Sequence, residues 1–312
     1  MIVLDQTTTN ELLPFEQLVP TLQRAFQADI TVPLRHNHSI ECGAEKGIVL
    51  IMPAWDQHQY MGIKTVNIFP NNKEKNLPGL HSTYLLFDGT TGKPLANIDG
   101  NAITSRRTAA ASALGASYLA RTDASRLLVV GSGQVAAYLP AAYGAVRDLT
   151  EVLVWNYNPE SGHVLVKQLQ QQGVNARWVD DLEQGVRSAD MISCATLSEQ
   201  PLIHGSWLQA GQHLDLIGSF TPTMIESAPD CFSHSSVFVD TDEAPMKAGD
   251  LLEAFKAGTL QAEAIQATLF DLCSGRHPGR RSQDEITVFK AVGNALEDLA
   301  AAVLVYESYT RN

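Results

Sequence analysis

One short segment restricts the fold of this chain more than any other. A mainly apolar run at residues 126–130, with the sequence RLLVV, leads directly into Gly131-Ser-Gly133-Gln-Val-Ala136. An apolar strand that breaks into a glycine turn and then starts a helix places the helix N-terminal amides where a pyrophosphate can bind. Glycine-rich turns after strands are common, so this motif is a weak predictor by itself and depends on the sequence around it.

The sequence after this motif supports a dinucleotide-binding fold. Short apolar runs alternate with helical segments, which predicts a parallel sheet with helices on its faces. We expect strands at 126–130, 151–155, 176–179, 190–194, 213–217 and 236–239, and helices near 133–146, 159–172 and 181–187. The predicted fold class is therefore α/β, with a doubly wound parallel sheet of the Rossmann type in residues 121–289.

The N-terminal part has a different pattern, a meander of strands with one leading helix. We expect strands at 2–4, 31–40, 47–52, 59–69, 80–87 and 94–98, and helices at 11–27 and 102–121. A late helix, at roughly 291–309, carries apolar residues at helical spacing and should return to this part. Because 312 residues exceed one typical core, we expect a second, discontinuous α+β domain made of residues 1–120 and 290–312.

The charge of the chain limits its partners. The formal net charge is −12 at pH 7, which repels nucleic acid and anionic membranes. An anionic small-molecule substrate must therefore be held by a few local Arg and Lys residues. The sequence has no long apolar run and no recognisable secretory signal, so we expect a cytoplasmic protein.

Cysteine and acidic residues give no sign of a metal site. The four cysteines have no CxxC spacing, which fits a reducing cytosol and argues against bound zinc. The acidic segment Asp240-Thr-Asp242-Glu243 follows a strand without a matching set of ligands. We interpret it as a solvated turn and expect no metal.

A few basic residues are candidates for holding an anion. Arg106 and Arg107 lie among Ala, Thr and Ser residues, and a guanidinium can bind a carboxylate through two parallel hydrogen bonds. Lys64 lies in an apolar strand context. On an inward face its pKa would fall and it could donate a proton, whereas on an outward face it would be an ordinary surface lysine. The sequence leaves both orientations open. Arg35 and His81 also lie on predicted strands, where a structural role is equally compatible.

The end of the second predicted parallel strand bears on the choice of dinucleotide. An acidic residue that binds the ribose is expected there, about 20 residues after the first glycine. The chain instead has Asn156, Tyr157 and Asn158, which provide neither a carboxylate to repel a 2′-phosphate nor an arginine to bind one. NADPH should therefore be tolerated, and the preference between NADPH and NADH stays open. Asn156 could equally be an ordinary turn residue.

Several segments, taken together and in this order, resemble the ornithine cyclodeaminase/mu-crystallin family along essentially the whole chain. They are GIKTVNIFP (62–70), LFDGTTGKPLA (86–96), ITSRRTAA (103–110), VGSGQV (130–135), HLDLIGS (213–219) and TVFKAVGNALEDLA (287–300). The resemblance implies a homodimer. Its β-rich N-terminal domain would form the dimer contact and the substrate pocket, and a Rossmann domain would lie beside it.

The resemblance also implies roles for individual residues. Arg35, Lys64 and Arg107 match the family positions that hold the substrate carboxylate and the reacting nitrogen, with Lys64 as the catalytic residue. His81 is a further substrate-binding candidate. The positions that match cofactor-lining segments are Arg107, Thr108, Gly131, Ser132, Gly133, Gln134, Val135, Asn156, Tyr157, Asn158, Ala195, Thr196, Gly218, Ser219, Val292 and Gly293.

One departure from the family pattern bears on the reaction. Ornithine cyclodeaminases carry Gly-Gly-Asp after the strand equivalent to 213–217, and that Asp is taken to act in amine elimination and ring closure. This chain reads Gly218-Ser219-Phe220. Phe220 cannot accept a proton and would instead form an apolar wall for the substrate.

The variant resembles the bacterial Δ1-pyrroline-2-carboxylate reductases of the family. That resemblance implies reduction of Δ1-pyrroline-2-carboxylate, and by extension Δ1-piperideine-2-carboxylate, to L-proline or L-pipecolate with NADPH or NADH. Three alternatives stay open: an ornithine cyclodeaminase, an amino-acid dehydrogenase similar to alanine dehydrogenase, and a binding protein for small ligands without enzymatic activity.

Overall fold

The computed structural model of the chain describes residues 1–43, 45–57 and 59–311. Its contacts define two units. Unit 1 comprises Met1–Arg107 and the segment from Asn294 onward, and unit 2 comprises Thr108–Gly293. The division falls inside a long helix, upstream of the boundary at residue 120 that the sequence predicts.

The elements follow one another along the chain without long irregular stretches. Up to residue 119 they are β1 (Ile2–Leu4), α1 (Gln6–Glu11), α2 (Phe15–Gln27), β2 (Ile30–Thr31), β3 (His36–Cys42), β4 (Glu45–Asp56), β5 (Tyr60–Ile68), β6 (Leu80–Asp88), β7 (Pro94–Asp99) and α3 (Gly100–Leu119). From residue 126 they are β8 (Arg126–Val130), α4 (Gln134–Gly144), β9 (Glu151–Trp155), α5 (Pro159–Gln171), β10 (Ala176–Trp178), α6 (Leu182–Ser188), β11 (Met191–Cys194), β12 (His213–Leu216), β13 (Ser236–Val239), α7 (Ala244–Lys247), α8 (Gly249–Ala257), β14 (Ile265–Thr268), α9 (Leu269–Cys273), β15 (Thr287–Lys290) and α10 (Ala295–Arg311).

Unit 2 is built on a parallel sheet. Within the described residues it has eight strands in the order β10-β9-β8-β11-β12-β15-β13-β14, and each neighbouring pair is parallel. The chain order reverses between β8 and β11, so this sheet has the switch point of a doubly wound fold. The α/β class with a Rossmann-type sheet is therefore confirmed.

Two strands of this sheet were not predicted. β14 and β15 are each four residues long, and β15 inserts between β12 and β13 although it follows both in the chain. A segment this short carries too little periodicity to be separated from a loop. Its position depends on pairing with distant strands, which the local sequence does not encode.

Unit 1 is built on a mostly antiparallel sheet. Within the described residues its seven strands include the path β1-β7-β6-β5-β4-β2, and β3 also pairs with β4. Alternate residues of the central strands point to a buried face against which α10 packs, and α2 packs against α10. The residues of that face are Met52, Ala54, Gly62, Lys64, Val66, Tyr84, Leu86, Ala96 and Ile98.

Two predicted elements of unit 1 are divided by prolines, which corrects the predictions. The helix expected at 11–27 is two helices, because Pro14 is extended, with ψ 140°, at the start of α2, and Asp5 rather than Asn10 caps α1. The strand expected at 31–40 is interrupted at Pro33, which cannot donate a backbone hydrogen bond to a neighbouring strand. Among the described residues, no helix is both long and apolar enough to cross a membrane.

Candidate active site

Lys64 lies in the middle of the buried face of the unit 1 sheet. It pairs with Met52 of β4 and Tyr84 of β6, whose side chains share its face. Only 2% of its surface is exposed. Of the two orientations that the sequence left open, the structure therefore has the inward one.

Lys64 belongs to a cluster of four buried charges, which also contains Arg107, Glu297 and Asp298. Lys64 Nζ lies 2.6 Å from Asp298 Oδ2. Arg107 Nε donates to Asp298 Oδ1 over 2.9 Å, and Arg107 Nη1 donates to Glu297 Oε2 over 2.8 Å. The exposed fraction of each side chain is 8% or less. β5, α3 and α10 thus bring two cations and two anions together out of water. Their formal charges cancel, as buried charges require.

The environment of the cluster changes the acidity of its members. Burial lowers the pKa of Lys64 to about 8, and Asp298 opposes that fall. Burial alone would raise the pKa of Asp298, but Lys64 and Arg107 outweigh it and the net shift is downward. Asp298 is therefore a carboxylate at neutral pH, and Lys64 carries a proton that it can lose close to neutrality.

The two neighbouring arginines have different roles. Arg106 Nε donates to the backbone oxygen of Leu13, and its guanidinium lies 4.4 Å from the centre of the Phe15 ring. Arg106 therefore fastens α3 to the N-terminal helices. Arg107 enters the charge cluster, where Nε and Nη1 bond to the two carboxylates. Its third nitrogen, Nη2, has no acceptor among the described residues and can bind an anion.

The other two predicted substrate residues are not part of the cluster. Arg35 lies between β2 and β3 rather than on a strand, which corrects the prediction. The next residue, His36, pairs with β4, which pairs with β5, so Arg35 is about two strand widths from Lys64, on the order of 10 Å. His81 is exposed on β6, and its register with Asn67 places it on the opposite face of the sheet from Lys64.

Glu297 and Asp298 are the site residues that sequence reasoning missed. Both lie in the first turn of α10, where acidic residues commonly stabilise a helix through its dipole. That ordinary explanation conceals their contacts with residues far away in the chain. The available signal was their position in the TVFKAVGNALEDLA segment, which is otherwise almost entirely apolar.

In unit 2 the glycine motif lies at the carboxyl end of β8. Gly131 has φ +120°, and a Cβ there would lie 2.5 Å from the carbonyl oxygen of Ala195. Gly133 is the N-cap of α4, and its side chain position faces open space, with no atom within 4 Å. The first amides of α4 receive no side-chain cap from Gly133. This is the open, electropositive cradle that a pyrophosphate fits.

The strand-end residues of β9 have structural bonds of their own. Asn156 Nδ2 donates to the backbone oxygen of Asn158 and to Ser161 Oγ. Asn158 caps α5 by accepting from the Ser161 amide. Tyr157 is 88% exposed between them. The three residues therefore form a rigid, neutral turn beside the glycine motif.

The remaining predicted cofactor positions lie at the same edge of the sheet. Ala195 and Thr196 follow β11, Gly218 and Ser219 follow β12, and Val292 and Gly293 follow β15. Phe220 comes next after Ser219 and is 44% exposed. Since β9, β8, β11, β12 and β15 are neighbours in that order, the structure groups these segments along the carboxyl edge, where dinucleotides bind. Thr108 lies apart from them, half-buried on α3.

The interpretation of Asp240 as part of a solvated turn was wrong. Asp240 has no exposed surface, and its Oδ2 accepts from the amides of Val292 and Gly293 over 2.7 Å each. This bond fixes one of the turns at the carboxyl edge. Among the described residues, no three His, Cys, Asp or Glu side chains are arranged to hold a metal ion.

Together, the doubly wound sheet and the glycine cradle define a dinucleotide-binding protein, and comparison with known sequences places it in a family. The sequence model of the ornithine cyclodeaminase/mu-crystallin family matches residues 1–312. The chain belongs to this family. An uncharacterized protein of Schizosaccharomyces pombe is 42% identical over 99% of this chain and 98% of its own. Protein SAR DEFICIENT 4 of Arabidopsis thaliana is 41% identical over 90% and 88%. The Δ1-pyrroline-2-carboxylate reductase of Colwellia psychrerythraea is 34% identical over 98% and 99%.

Solved structures agree with this assignment. Thermococcus litoralis Δ1-pyrroline-2-carboxylate reductase, in complex with NADH and L-proline, has a TM-score of 0.92 and 30% identity over 100% of this chain and 98% of its own. An archaeal alanine dehydrogenase dimer with bound NAD has a TM-score of 0.91 and 28% identity over 100% and 96%. The iminosuccinate reductase of Paracoccus denitrificans with NAD+ has the same TM-score and identity over 100% and 97%.

The glycine cradle gives a first testable prediction. Gly131→Ala should weaken dinucleotide binding and lower the unfolding temperature, because the new Cβ meets the Ala195 carbonyl and a left-handed backbone disfavours side chains. Gly173→Ala is the matched control, since Gly173 has φ +82° but no atom within 4 Å of its Cβ position. It should show the backbone penalty alone, with binding unchanged in a fluorescence titration. Equal loss of binding in both variants would contradict the prediction.

Proposed function

We propose that this chain, a nicotinamide-dependent oxidoreductase acting on a C=N bond, reduces Δ1-pyrroline-2-carboxylate to L-proline. The observation that carries the proposal is the buried cluster of unit 1, which places a proton donor, Lys64, next to a carboxylate-binding cation, Arg107. A cyclic imine with a carboxylate on its C=N carbon needs those two groups. Relatives that are named for this reaction match nearly the whole chain.

Arg107 is suited to hold the substrate carboxylate. Glu297 and Asp298 fix its guanidinium through Nε and Nη1, so little rotamer freedom is lost when Nη2 receives an anion. Arg35 is a second anchor for the same carboxylate in this proposal. Holding the carboxylate fixes the orientation of the imine before reaction.

Lys64 is suited to supply the proton. With a pKa of about 8 it is mostly an ammonium at neutral pH, and the low pKa makes proton release easier than from an exposed lysine. The proton passes from Nζ to the imine nitrogen, whose C=N π electrons become the nitrogen lone pair that the new N–H bond uses as the carbon is reduced. The neutral amine of Lys64 is then reprotonated from solvent.

The dinucleotide is held by unit 2 in this proposal. The amides of the Gly131–Val135 segment would bind the pyrophosphate, and the turn at Asn156–Asn158 would lie at the adenosine ribose. Bound NADH or NADPH supplies the hydride for the imine carbon. The neutral Asn156–Asn158 turn has no charge to select between the two dinucleotides, so we propose that both are used.

Two observations bear on other reactions. The similarity to an alanine dehydrogenase keeps open-chain imines, formed from a keto acid and ammonia, as a second candidate substrate class. Against cyclodeaminase activity, Phe220 stands where ornithine cyclodeaminases carry an aspartate, so the elimination of an amine lacks its acid. Pyruvate with ammonia, and ornithine, are therefore the comparison substrates in any assay.

We further propose that the chain forms homodimers in the cytoplasm. On the sheet face opposite Lys64, Pro53, Ile63 and Leu85 form a half-exposed apolar row across three strands, which a second copy could cover. In light scattering, the wild type should have twice the chain mass of 33.9 kDa, and Ile63→Glu should reduce it. Val164→Glu, at a 57% exposed position on α5, is the control. A monomeric wild type would refute the dimer.

Turnover is the direct test of the proposed reaction. Purified protein should oxidise NADPH and NADH with Δ1-pyrroline-2-carboxylate faster than with pyruvate plus ammonia, and should not convert ornithine. Lys64→Met should lower kcat by about 10²- to 10⁴-fold, the range for losing a general acid. Arg106→Met is the matched control because Arg106 bonds to Leu13 instead of entering the cluster. Full activity in Lys64→Met would exclude the assigned role of Lys64.

The acidity of Lys64 gives a pH prediction with a defined sign. If the ammonium form is active, kcat/KM falls as pH rises through about 8. Asp298→Asn removes the carboxylate that opposes the lowering, so the pKa of Lys64 falls further and activity is lost at lower pH. Glu297→Gln, which contacts Arg107 instead, should shift the profile less. A profile that stays in place in Asp298→Asn would show that Lys64 does not control it.

A further inference from the structure

Unit 2 contains buried charges that the proposed chemistry does not use. Glu226, Asp250 and Lys290 have 0%, 1% and 0% of their surface exposed. Burial of an ionisable side chain is strongly unfavourable unless hydrogen bonds or an opposite charge compensate. The contacts of these residues therefore indicate what they stabilise.

Glu226 connects two turns at the carboxyl edge of the parallel sheet. Its Oε1 accepts from the amide of Thr196 over 2.6 Å and from the Thr196 hydroxyl over 2.8 Å. Its Oε2 accepts from the amide of Gly218 over 2.6 Å. Thr196 follows β11 and Gly218 follows β12. One carboxylate thus fixes both turns through three hydrogen bonds.

The space between these turns leaves no alternative arrangement. A Cβ at Gly218 would lie 1.9 Å from the carbonyl oxygen of Thr196 and 2.5 Å from Glu226 Oε1. The backbones of the two turns are therefore in direct contact, with the carboxylate behind them. A shift of either turn would break a hydrogen bond to Glu226.

Glu226 is itself held in place from behind. Asp250 Oδ1 accepts from the amides of Glu226 and Ser227 over 2.8 and 2.9 Å. Lys290 Nζ lies 3.7 Å from Asp250 Oδ2 and donates to the backbone oxygen of Leu216, at the end of β12. Burial raises the pKa of Glu226 to about 8, and Lys290 is the strongest of the groups that oppose the rise. The lysine therefore helps Glu226 to act as an acceptor of hydrogen bonds.

We propose that Glu226 is a positioning residue for the dinucleotide, which fixes the Thr196 and Gly218 turns in their binding arrangement before the dinucleotide arrives. The proposal rests on the proposed function only in taking these turns as cofactor-lining. It adds a residue that does not touch the cofactor but reduces the entropy lost when the cofactor binds. Binding measured without substrate tests it independently of the reaction.

The test compares two buried carboxylates of unit 2. Glu226→Gln puts an NH₂ group opposite one of the backbone amides, so one turn loses its acceptor. The Kd for NADH and NADPH, from titration of dinucleotide fluorescence, should rise about tenfold, which is about 1.4 kcal/mol. The control is Asp215→Asn, because Asp215 is equally buried and accepts from the hydroxyls of Ser112, Tyr143 and Ser193. It should lower the unfolding temperature and leave Kd unchanged.

Kinetics provide a readout that general loosening of the fold would not reproduce. In Glu226→Gln the KM for the dinucleotide should rise while the KM for the imine stays constant. A similar rise of Kd in Asp215→Asn, or an unchanged Kd in Glu226→Gln, would overturn the proposal. Wild-type protein that binds neither dinucleotide would overturn the proposed function as well.

A measurement on the wild type covers the case that Glu226→Gln does not fold. Hydrogen–deuterium exchange at the Thr196 and Gly218 amides should be slow without dinucleotide and change little when NADH is added, since both amides already donate to Glu226. Fast exchange that becomes slow only with NADH would show that the cofactor, and not Glu226, orders the turns, and would overturn the proposal.

Discussion

Unit 1 depends on one carboxylate that neutralises two cations. Asp298 lies within 3 Å of both Lys64 and Arg107, and none of the three can reach water to any extent. Without Asp298 the sheet and α3 would each bury an uncompensated positive charge, which costs several kcal/mol. The same pairing leaves Lys64 with a pKa that suits proton transfer and leaves Arg107 with one free nitrogen. Fold stability and the proposed chemistry therefore rest on the same contact.

Unit 2 uses buried carboxylates in another way. Glu226 and Asp240 accept mainly from backbone amides of turns that follow β11, β12 and β15. Loops at the edge of a sheet are usually more mobile than the strands that they follow. Here each turn is tied to a buried side chain of the same unit. The carboxyl edge of the sheet is consequently rigid where binding needs a fixed geometry.

The parts of the fold that could be predicted are those with local signals. The RLLVV strand and the glycine turn determine the Rossmann-type sheet, and the apolar context of Lys64 suggested a buried lysine. Pro14 and Pro33 carried readable signals for chain breaks that periodicity alone did not weigh. The position of β15 and the partners of Asp298 could not be predicted. Arg107 and Asp298 are 191 positions apart, and no local pattern encodes a contact between them.

The return of α10 to unit 1 has a consequence for how the protein is made. Lys64 and Arg107 leave the ribosome before all of unit 2, whereas Glu297 and Asp298 follow only after it. Unit 2 is one continuous segment, so it can fold as soon as it has emerged. Unit 1 cannot bury its two cations until their counterions are synthesised. The N-terminal unit of the chain must therefore finish folding last.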